Sequence, residues 1–418
     1  MRKTYNRRSS WKKNNSSYYL RMILVILCAI LLIGILYVLG KSILGGEDQK
    51  RNEDGNEKES MDNVAMDTAK SILSELSLEE KIYQLFIVTP EQLTGVSEVT
   101  QSGFITQSAI QEKPVGGIVY FSANLISRGQ CKEMIDNIQS YSKLGLFISV
   151  DEEGGDVARI GNNPDMETTA FPAMESIGDR GDISEAYNVG FTIGKEISEL
   201  GFNLDFAPVA DINSNTENTV IGKRAFGSDP EIVSNMVSAC IKGFKESGML
   251  CTVKHFPGHG DTVEDSHYGE AKTYKTLDEL YECEFIPFEA SIEAEVPLIM
   301  VGHITTPNLD EENVPASLSY RVVTEILRNN MEYSGLVITD SMSMGAIVDQ
   351  YSSEEAAVKA LKAGVDLILM PYNLENAVAG VMDAVAEGNL TEERIDESVL
   401  RILMTKIDSG IIDTHIYQ

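Results

Sequence analysis

The densest group of reactive side chains in this chain lies between Lys254 and His267. These fourteen residues read Lys-His-Phe-Pro-Gly-His-Gly-Asp-Thr-Val-Glu-Asp-Ser-His and hold three of the chain's five histidines. Imidazole can move protons near neutral pH, and a neighbouring carboxylate can orient it and tune its pKa. The simpler interpretation is a surface loop that contains histidine by chance. Three histidines so close together in a histidine-poor chain disfavour that interpretation.

The residues around this stretch predict a strand that ends in a loop. The apolar run Cys251–Lys254 has the composition of a short buried strand. Pro257, Gly258 and Gly260 exclude a helix or a regular strand after it. A strand that leads into a loop of titratable groups is typical of the active-site face of an α/β barrel.

Eight apolar runs alternate with amphipathic stretches and predict the fold. Helical patterns include Ile183–Leu200, Ile232–Ser247 and Thr391–Ile407. Ser77 and Glu80 are spaced as a helix capping box. Alternating strands and helices indicate a parallel sheet, and eight units indicate closure into a single (β/α)8 barrel of the TIM type. The predicted strands are Gln84–Val88, Gly117–Phe121, Leu146–Val150, Phe202–Phe206, Cys251–Lys254, Pro297–Val301, Leu336–Thr339 and Asp366–Met370.

Charged and polar residues follow several of these strands. The carboxyl ends of barrel strands meet at one face, so such residues converge whatever their sequence separation. Taken singly, each has a simpler interpretation: Asp211 as a loop residue or helix cap, Arg224 as a surface charge. Their convergence favours a functional site. The residues concerned are Asp151, Arg159, Asp211, Arg224, Lys254, His255, His303 and Asp340.

Metal catalysis is disfavoured by the neighbours of the histidines. His255 and His259 are four residues apart, but Pro257 lies between them and breaks any helix. The nearby cations Lys254 and Arg159 also disfavour a dication. We therefore expect neither a metal nor a cofactor. The chain also lacks a nucleophile elbow for acyl transfer and a Walker loop for phosphate binding.

Glycoside hydrolysis fits this set of residues better. A retaining glycosidase needs a carboxylate nucleophile and a proton donor on opposite sides of the scissile bond. Asp340 can supply the nucleophile, and Asp265 with His267 can supply the donor as a dyad. Arg, Lys, His and Asp side chains around them can bind sugar hydroxyls and an acetamido group through charge-assisted hydrogen bonds.

The chain resembles glycoside hydrolase family 3, in its β-N-acetylglucosaminidase subgroup, over roughly residues 75–410. This resemblance implies a (β/α)8 barrel and exo-acting, retaining removal of terminal β-linked N-acetylglucosamine from peptidoglycan fragments. It rests most strongly on the histidine-containing motif. The matching motifs are Lys254-His-Phe-Pro-Gly-His-Gly-Asp-Thr with Asp265-Ser-His267, Leu78-Glu-Glu-Lys-Ile-Tyr-Gln-Leu, Asp151-Glu-Glu-Gly-Gly, Arg224-Ala-Phe-Gly-Ser-Asp-Pro, Thr339-Asp-Ser-Met-Ser-Met-Gly-Ala-Ile and Ala360-Leu-Lys-Ala-Gly-Val-Asp.

The resemblance also implies roles for individual residues. Asp340 matches the nucleophile, His267 the general acid/base and Asp265 its partner. A histidine donor departs from the carboxylate pair of most retaining enzymes. A further departure is the pair Glu152-Glu153, where Gln-Glu is common in the family. The residues that match sugar-binding positions are Asp151, Arg159, Arg224, Lys254 and His255.

Other functions remain as alternatives. A β-glucosidase-like enzyme on the same barrel is one, although the Asp265–His267 dyad argues against it. A phosphorylase is another, because a neutral histidine donor tolerates phosphate where a carboxylate repels it. A non-catalytic wall-binding protein would be expected to have lost Asp340 or His267, and both are present.

The charge distribution divides the chain. Residues 1–41 hold eight of the 34 Lys and Arg and no Asp or Glu, so the remainder carries 26 basic against 64 acidic residues. So acidic a body would repel nucleic acid. We expect a carbohydrate substrate, no nucleic-acid partner and a monomer.

The N-terminal segment predicts a membrane anchor. Met22–Gly40 is uncharged and long enough to span a bilayer, and the basic flank before it predicts a cytoplasmic N-terminus with the catalytic domain outside the cell. A cleaved signal peptide fits less well, because the apolar run is long and no Ala-x-Ala site follows. The predicted organisation is a cytoplasmic tail (1–21), a single-pass anchor (22–40), a disordered tether (41–66) and the barrel (67–418). Of the cysteines beyond the span, Cys131, Cys240, Cys251 and Cys283, we expect reduced thiols rather than a bridge.

Overall fold

A computed structural model describes residues 63–262, 266 and 269–416, together with six isolated positions between 21 and 32. Asp265 and His267 lie outside the described residues. The chain divides into two compact units, Met1–Val64 and Ala65–Gln418, and the second unit contains all the strands.

The central element is a sheet of eight parallel strands. The first seven strands pair in chain order, and the eighth pairs with the first. The bridge between Ile338 and Leu367 joins the eighth strand to the seventh, so the sheet forms a nearly closed barrel. All eight apolar runs predicted as strands contain one. The strands are β1 (Phe86–Val88), β2 (Gly117–Val119), β3 (Phe147–Val150), β4 (Leu204–Asp205), β5 (Leu250–Phe256), β6 (Leu298–Val301), β7 (Leu336–Thr339) and β8 (Ile368–Leu369).

Burial on both faces explains why the strands read as apolar runs. Every residue of β1, β3, β6 and β7 is buried, because one face lines the barrel interior and the other contacts the surrounding helices. Close packing leaves no room for larger side chains at some positions. A Cβ on Gly117 would lie 2.6 Å from the Phe147 carbonyl oxygen on the neighbouring strand.

Helices connect the strands and cover the barrel. The predicted amphipathic helices are present at Ile183–Ser198, Pro230–Ser247 and Glu392–Asp408, and Ser77 and Glu80 form a capping box. Residues 63–75 form a further helix before the first strand. The remaining longer helices are Phe104–Glu112, Arg128–Tyr141, Ile286–Glu293, Ser353–Ala363 and Leu374–Ala386, with a π-helix at Arg321–Asn330. Shorter helices are Leu78–Tyr83, Pro90–Thr94, Met174–Gly178, Leu277–Glu282 and Gly345–Val348.

The fifth strand is longer than the sequence predicts. It continues to Phe256, so His255 and Phe256 lie on the strand with Lys254 rather than in the loop that follows. Pro257 ends the strand, as expected.

The membrane anchor predicted over Met22–Gly40 is not supported. Crossing a bilayer takes about 20 consecutive, mostly apolar residues in one helix. Within the described part of the chain, no helix is long and apolar enough to do so. This finding contradicts the predicted single-pass membrane localisation, including its cytoplasmic N-terminus and extracellular catalytic domain. Most of residues 22–40, and the predicted tether up to residue 62, lie outside the described residues.

A buried carboxylate fastens the amino-terminal end of the barrel. Asp366, just before β8, accepts hydrogen bonds from Arg401 at 2.9 Å, Ser398 at 2.7 Å and the Val337 N–H at 3.0 Å, and it also pairs with Arg328. These contacts join the last helix and the π-helix to β7 and β8. The network therefore holds together the two strands at which the barrel closes.

A buried lysine lies at the same end of the barrel. The Lys406 Nζ donates to Gln84 Oε1 at 3.0 Å and lies 5.0 Å from the centroid of the Phe147 ring. Among the described residues, no carboxylate forms an ion pair with it. Burial lowers the pKa of Lys406 to about 7.

Replacing Lys406 with Met should stabilise the protein at pH 6 by about 1–4 kcal/mol, because it removes a buried and uncompensated cation. Below its folded-state pKa, a buried lysine is charged in both the folded and the unfolded state, so its burial lowers the free energy of unfolding by the full amount. The penalty fades as pH rises from about 7 toward the unfolded value near 10.4. The gain measured by urea unfolding should therefore shrink by pH 9. The exposed Lys362→Met is the control, with a change below about 0.5 kcal/mol at both pH values. A Lys406→Met protein that is less stable at both pH values would contradict this account.

Candidate active site

The carboxyl ends of the strands bring most of the predicted residues to one face of the barrel. Asp151 directly follows β3, Lys254 and His255 lie on β5, and Asp340 directly follows β7. Arg224 ends a short 3₁₀ helix in the connection between β4 and β5.

Glu153 joins two of the predicted sugar-binding cations. Its Oε1 accepts from Lys254 Nζ at 2.6 Å and from Arg224 Nη2 at 2.7 Å, while Oε2 accepts from Arg224 Nε at 2.9 Å. The Glu153 side chain is 1% exposed and that of Lys254 is 2% exposed. Burial alone would raise the pKa of Glu153, but the two cations hold it well below its usual range. Arg224 is therefore part of a buried ion network, not a surface charge.

Asp151 completes the surroundings of Lys254. Its Oδ1 accepts from Lys254 Nζ at 2.7 Å. Burial would lower the pKa of Lys254, but Asp151 and Glu153 raise it, so this lysine stays charged. The Arg159 N–H donates to the Asp151 carbonyl at 3.3 Å, and its guanidinium lies 5.7 Å from the centroid of the Phe121 ring.

Asp211 organises the start of the histidine-containing loop. Its Oδ2 lies 2.6 Å from His255 Nδ1 and accepts from the His255 N–H at 3.2 Å, and its Oδ1 accepts from the His259 N–H at 2.6 Å. Burial would raise the pKa of Asp211, but His255 lowers it. An ionised carboxylate only accepts, so His255 Nδ1 carries a proton. Asp211 therefore lies in a loop, as one of its two simpler interpretations has it, but it is buried and binds both histidines rather than capping a helix.

His259 and Ser266 tie this loop to the segment after Asp340. The His259 ring lies 3.0 Å from Ser266 Oγ through Nε2 and 2.7 Å from Thr262 Oγ1 through Nδ1. The Ser266 carbonyl accepts from the Ala346 N–H at 3.3 Å. Burial lowers the pKa of His259, which favours the neutral ring.

Asp340 lies among positive charges. Its N–H continues the barrel ladder by donating to the Val301 carbonyl, and its Oδ1 accepts from the Ser341 N–H at 2.7 Å. Burial would raise the pKa of Asp340, but the charges of His255 and His303 and the Ser341 N–H lower it to about 2. The carboxylate is therefore ionised throughout the neutral range.

Glu152 and Asp205 were not among the predicted site residues. Glu152 Oε2 and Oε1 accept from the N–H groups of Ile160 and Gly161, at 2.7 and 2.8 Å, directly after Arg159. Its own N–H donates to Asp205 Oδ1 at 2.9 Å. Burial raises the pKa of Glu152 to about 7 and that of Asp205 well above its ordinary value. Consecutive acids after a buried strand were a usable signal for Glu152 and Glu153, whereas nothing in the sequence marks Asp205.

The remaining predicted residues divide into two groups. His303 is buried beside the Asp340 segment, and Asp265 and His267 lie outside the described residues. In the part of the chain that the structure describes, no three His, Cys, Asp or Glu side chains are grouped as they would be around a metal ion. Cys131, Cys240, Cys251 and Cys283 are all unpaired.

Replacing Glu153 with Gln should lower the free energy of unfolding by about 3–5 kcal/mol, because it leaves buried Arg224 and Lys254 close together without their shared counter-ion. Urea unfolding measures the loss. Glu199→Gln is the matched control: Glu199 pairs with Arg128 at 2.6 Å but is 55% exposed, so its loss should stay below about 1 kcal/mol. Equal losses from the two variants would refute the account of Glu153.

Comparison with known proteins identifies the family of this chain. Residues 77–405 match the glycosyl hydrolase family 3 N-terminal domain. The chain is 36% identical to β-hexosaminidase A of Pseudoalteromonas piscicida, over 71% of this chain and 54% of that protein. It is 34% identical to a β-hexosaminidase of Idiomarina loihiensis, over 70% of this chain and 86% of the relative.

A solved structure with the same fold is the family 3 β-N-acetylglucosaminidase from a Paenibacillus species. It superimposes with a TM-score of 0.76 at 36% identity, over 80% of this chain and 63% of that one. The chain thus spans only about half to two thirds of the length of two of these proteins. From the match over residues 77–405 and the relatives at 34–36% identity, we conclude that this chain belongs to glycosyl hydrolase family 3.

Proposed function

We propose that this protein is an exo-acting, retaining β-N-acetylglucosaminidase. Its substrates would be peptidoglycan-derived fragments with a terminal β-linked N-acetylglucosamine, and its role cell-wall turnover. The observation that carries the proposal is Asp340, an ionised carboxylate at the end of β7 with a pKa lowered to about 2 by neighbouring positive charge. The hexosaminidase activity named for the relatives supports the choice of sugar.

The first chemical step uses Asp340 as the nucleophile. Its carboxylate attacks the anomeric carbon while the bond to the leaving oxygen breaks, which gives a covalent glycosyl-enzyme. His267 donates a proton to that oxygen, and Asp265 stabilises the imidazolium. Water then attacks the same carbon, His267 takes up its proton, and Asp340 is released. The roles of His267 and Asp265 rest on the sequence motif.

The charged groups near Asp340 bind the sugar in this proposal. Lys254 and Arg224, held by Glu153, direct N–H donors toward hydroxyl groups, while Asp151 accepts from them. His255, fixed by Asp211, and Arg159 complete the set. Several charged donors already fixed by buried carboxylates lose little freedom on binding, which favours a tightly held sugar.

A phosphorylase is the second candidate. Asp340 needs no change of role, since phosphate would replace water as the acceptor in the second step. A histidine donor leaves the leaving-group side free of a fixed negative charge that would repel phosphate. A β-glucosidase would use the same Asp340 chemistry with a different sugar.

The first test is a substrate comparison with the soluble body, residues 64–418. Nitrophenyl β-N-acetylglucosaminide should be cleaved at least about tenfold faster than nitrophenyl β-glucoside, because the acetamido group adds binding contacts. Added phosphate should not change the product. A glycosyl phosphate product would favour the phosphorylase, and faster cleavage of the glucoside would favour the β-glucosidase.

Replacing Asp340 with Asn should lower turnover by about 10⁴-fold or more, because no glycosyl-enzyme forms. The fold should be retained, since Asn keeps the size of the side chain. A slow fluorinated substrate should label Asp340 in the wild type, as read by mass spectrometry of peptides. Asp182→Asn, at an exposed helix cap outside the matching motifs, is the control. Labelling of another carboxylate would overturn the assignment.

Replacing His267 with Ala should harm poor leaving groups most, because only these need a proton. Natural disaccharides should be cleaved about 10²–10⁴-fold more slowly, while a dinitrophenyl glycoside still forms the intermediate. Azide should then accelerate the second step and give a β-glycosyl azide. Asp265→Ala should show a milder form of this pattern. Equal losses for good and poor leaving groups, without azide rescue, would show that His267 is only a packing residue.

A further inference from the structure

His303 lies next to the nucleophile segment without being part of the set assigned to the sugar. It follows Gly302 at the end of β6, and its side chain is 0% exposed. Strand β7, which pairs with β6 in parallel, ends at Thr339 directly before Asp340. The ring is therefore buried between the ends of two adjacent strands.

The two ring nitrogens of His303 have different partners. Nε2 lies 2.9 Å from the Ser341 carbonyl oxygen, and Nδ1 lies 2.7 Å from Ser317 Oγ. A carbonyl oxygen only accepts, so Nε2 carries a proton. When the ring is neutral, Nδ1 accepts from the Ser317 hydroxyl. Ser317 is itself fixed, because its N–H donates to the Gly302 carbonyl at 3.3 Å.

Ser341 connects this ring to the reactive carboxylate. The Ser341 N–H donates to Asp340 Oδ1 at 2.7 Å. The Ser341 carbonyl accepts both from His303 and from the Met344 N–H at 3.1 Å. Both ends of one backbone residue are thus held, which fixes the direction in which its N–H points. Among the described residues, no hydrogen bond reaches the other carboxylate oxygen of Asp340, Oδ2.

We infer that His303 is a positioning residue for the nucleophile: through the Ser341 backbone it holds Asp340 Oδ1 and leaves Oδ2 to attack the sugar. Ser317 selects the ring tautomer that can do so. The inference rests on the proposed role of Asp340. His303 would not touch the substrate, so it should affect the formation of the glycosyl-enzyme and not the binding of the sugar.

The Met344 N–H also holds the Ser341 carbonyl. A turn hydrogen bond within residues 341–344 moves with its own segment, whereas His303 follows a different strand, β6. It therefore fixes the segment relative to the barrel. A displacement of a reacting group by 1 Å can cost about 100-fold in rate.

The test compares His303→Ala, His303→Gln and Ser317→Ala in the full chain. The rate of glycosyl-enzyme formation, measured by the burst of nitrophenolate or by trapping with a slow fluorinated substrate, should fall about 100-fold in His303→Ala. The inhibition constant of N-acetylglucosamine should change less than about threefold. His303→Gln should recover about tenfold, because its amide N–H can reach the Ser341 carbonyl. Ser317→Ala should lose about tenfold. Good and poor leaving groups should be affected equally.

Thr306→Val is the control, because the Thr306 hydroxyl is buried on the same segment and has no hydrogen-bond partner within the described residues. Its rate should match the wild type. A second readout, NMR of ¹⁵N-labelled histidine, should show the Nε2–H tautomer of His303 in the wild type and a mixture in Ser317→Ala.

The outcomes separate the inference from the proposed function. A wild type that cleaves β-glycosides, with an equally fast His303→Ala, would overturn the inference alone. Parallel losses of rate and sugar affinity in His303→Ala, without recovery in His303→Gln, would also overturn the inference alone. An Nδ1–H tautomer in the wild type would do the same. A wild type that cleaves no β-glycoside would overturn the proposed function and, with it, this inference.

Discussion

The site depends on the burial of two cations that share a single carboxylate. Lys254 and Arg224 would repel each other in a desolvated setting, and Glu153 between them compensates both charges. With Glu153 in place, and Asp151 on the far side of Lys254, both cations remain ionised and point in fixed directions. Burial would raise the pKa of Asp340, but His255, His303 and the Ser341 N–H lower it, and Lys254 of this arrangement adds to their effect.

Rigid elements carry the groups whose placement matters most. Lys254 and His255 lie on β5 itself, and Asp340 is attached to the end of β7, so the barrel ladder fixes their backbones. Side chains held on strands are placed more accurately than those on loops. The histidine-containing loop lacks this support, and instead Asp211 and His259 attach it to the strand ends through buried hydrogen bonds.

The sequence predicted the barrel because burial on both faces makes each strand an apolar run. It also pointed to Asp340, Lys254 and His255, since these directly follow or end such runs. It missed the partners of Asp211 and Glu153, which lie 44 and 71 residues away, because pairings over such distances leave no local pattern. The anchor over 22–40 was inferred from apolar length alone, and the structure does not support it.

The chain keeps its unusual buried charges at opposite ends of the barrel. Asp366 and Lys406 lie at the amino-terminal ends of the strands, away from the face that carries Asp340. Changes at sites this far apart usually combine additively. Replacing the lysine at the non-catalytic end, which has no ion-pair partner among the described residues, would therefore raise the free energy of unfolding. During evolution, such a replacement could offset destabilising changes of specificity at the other end. New substrate preferences could then arise in two independent steps.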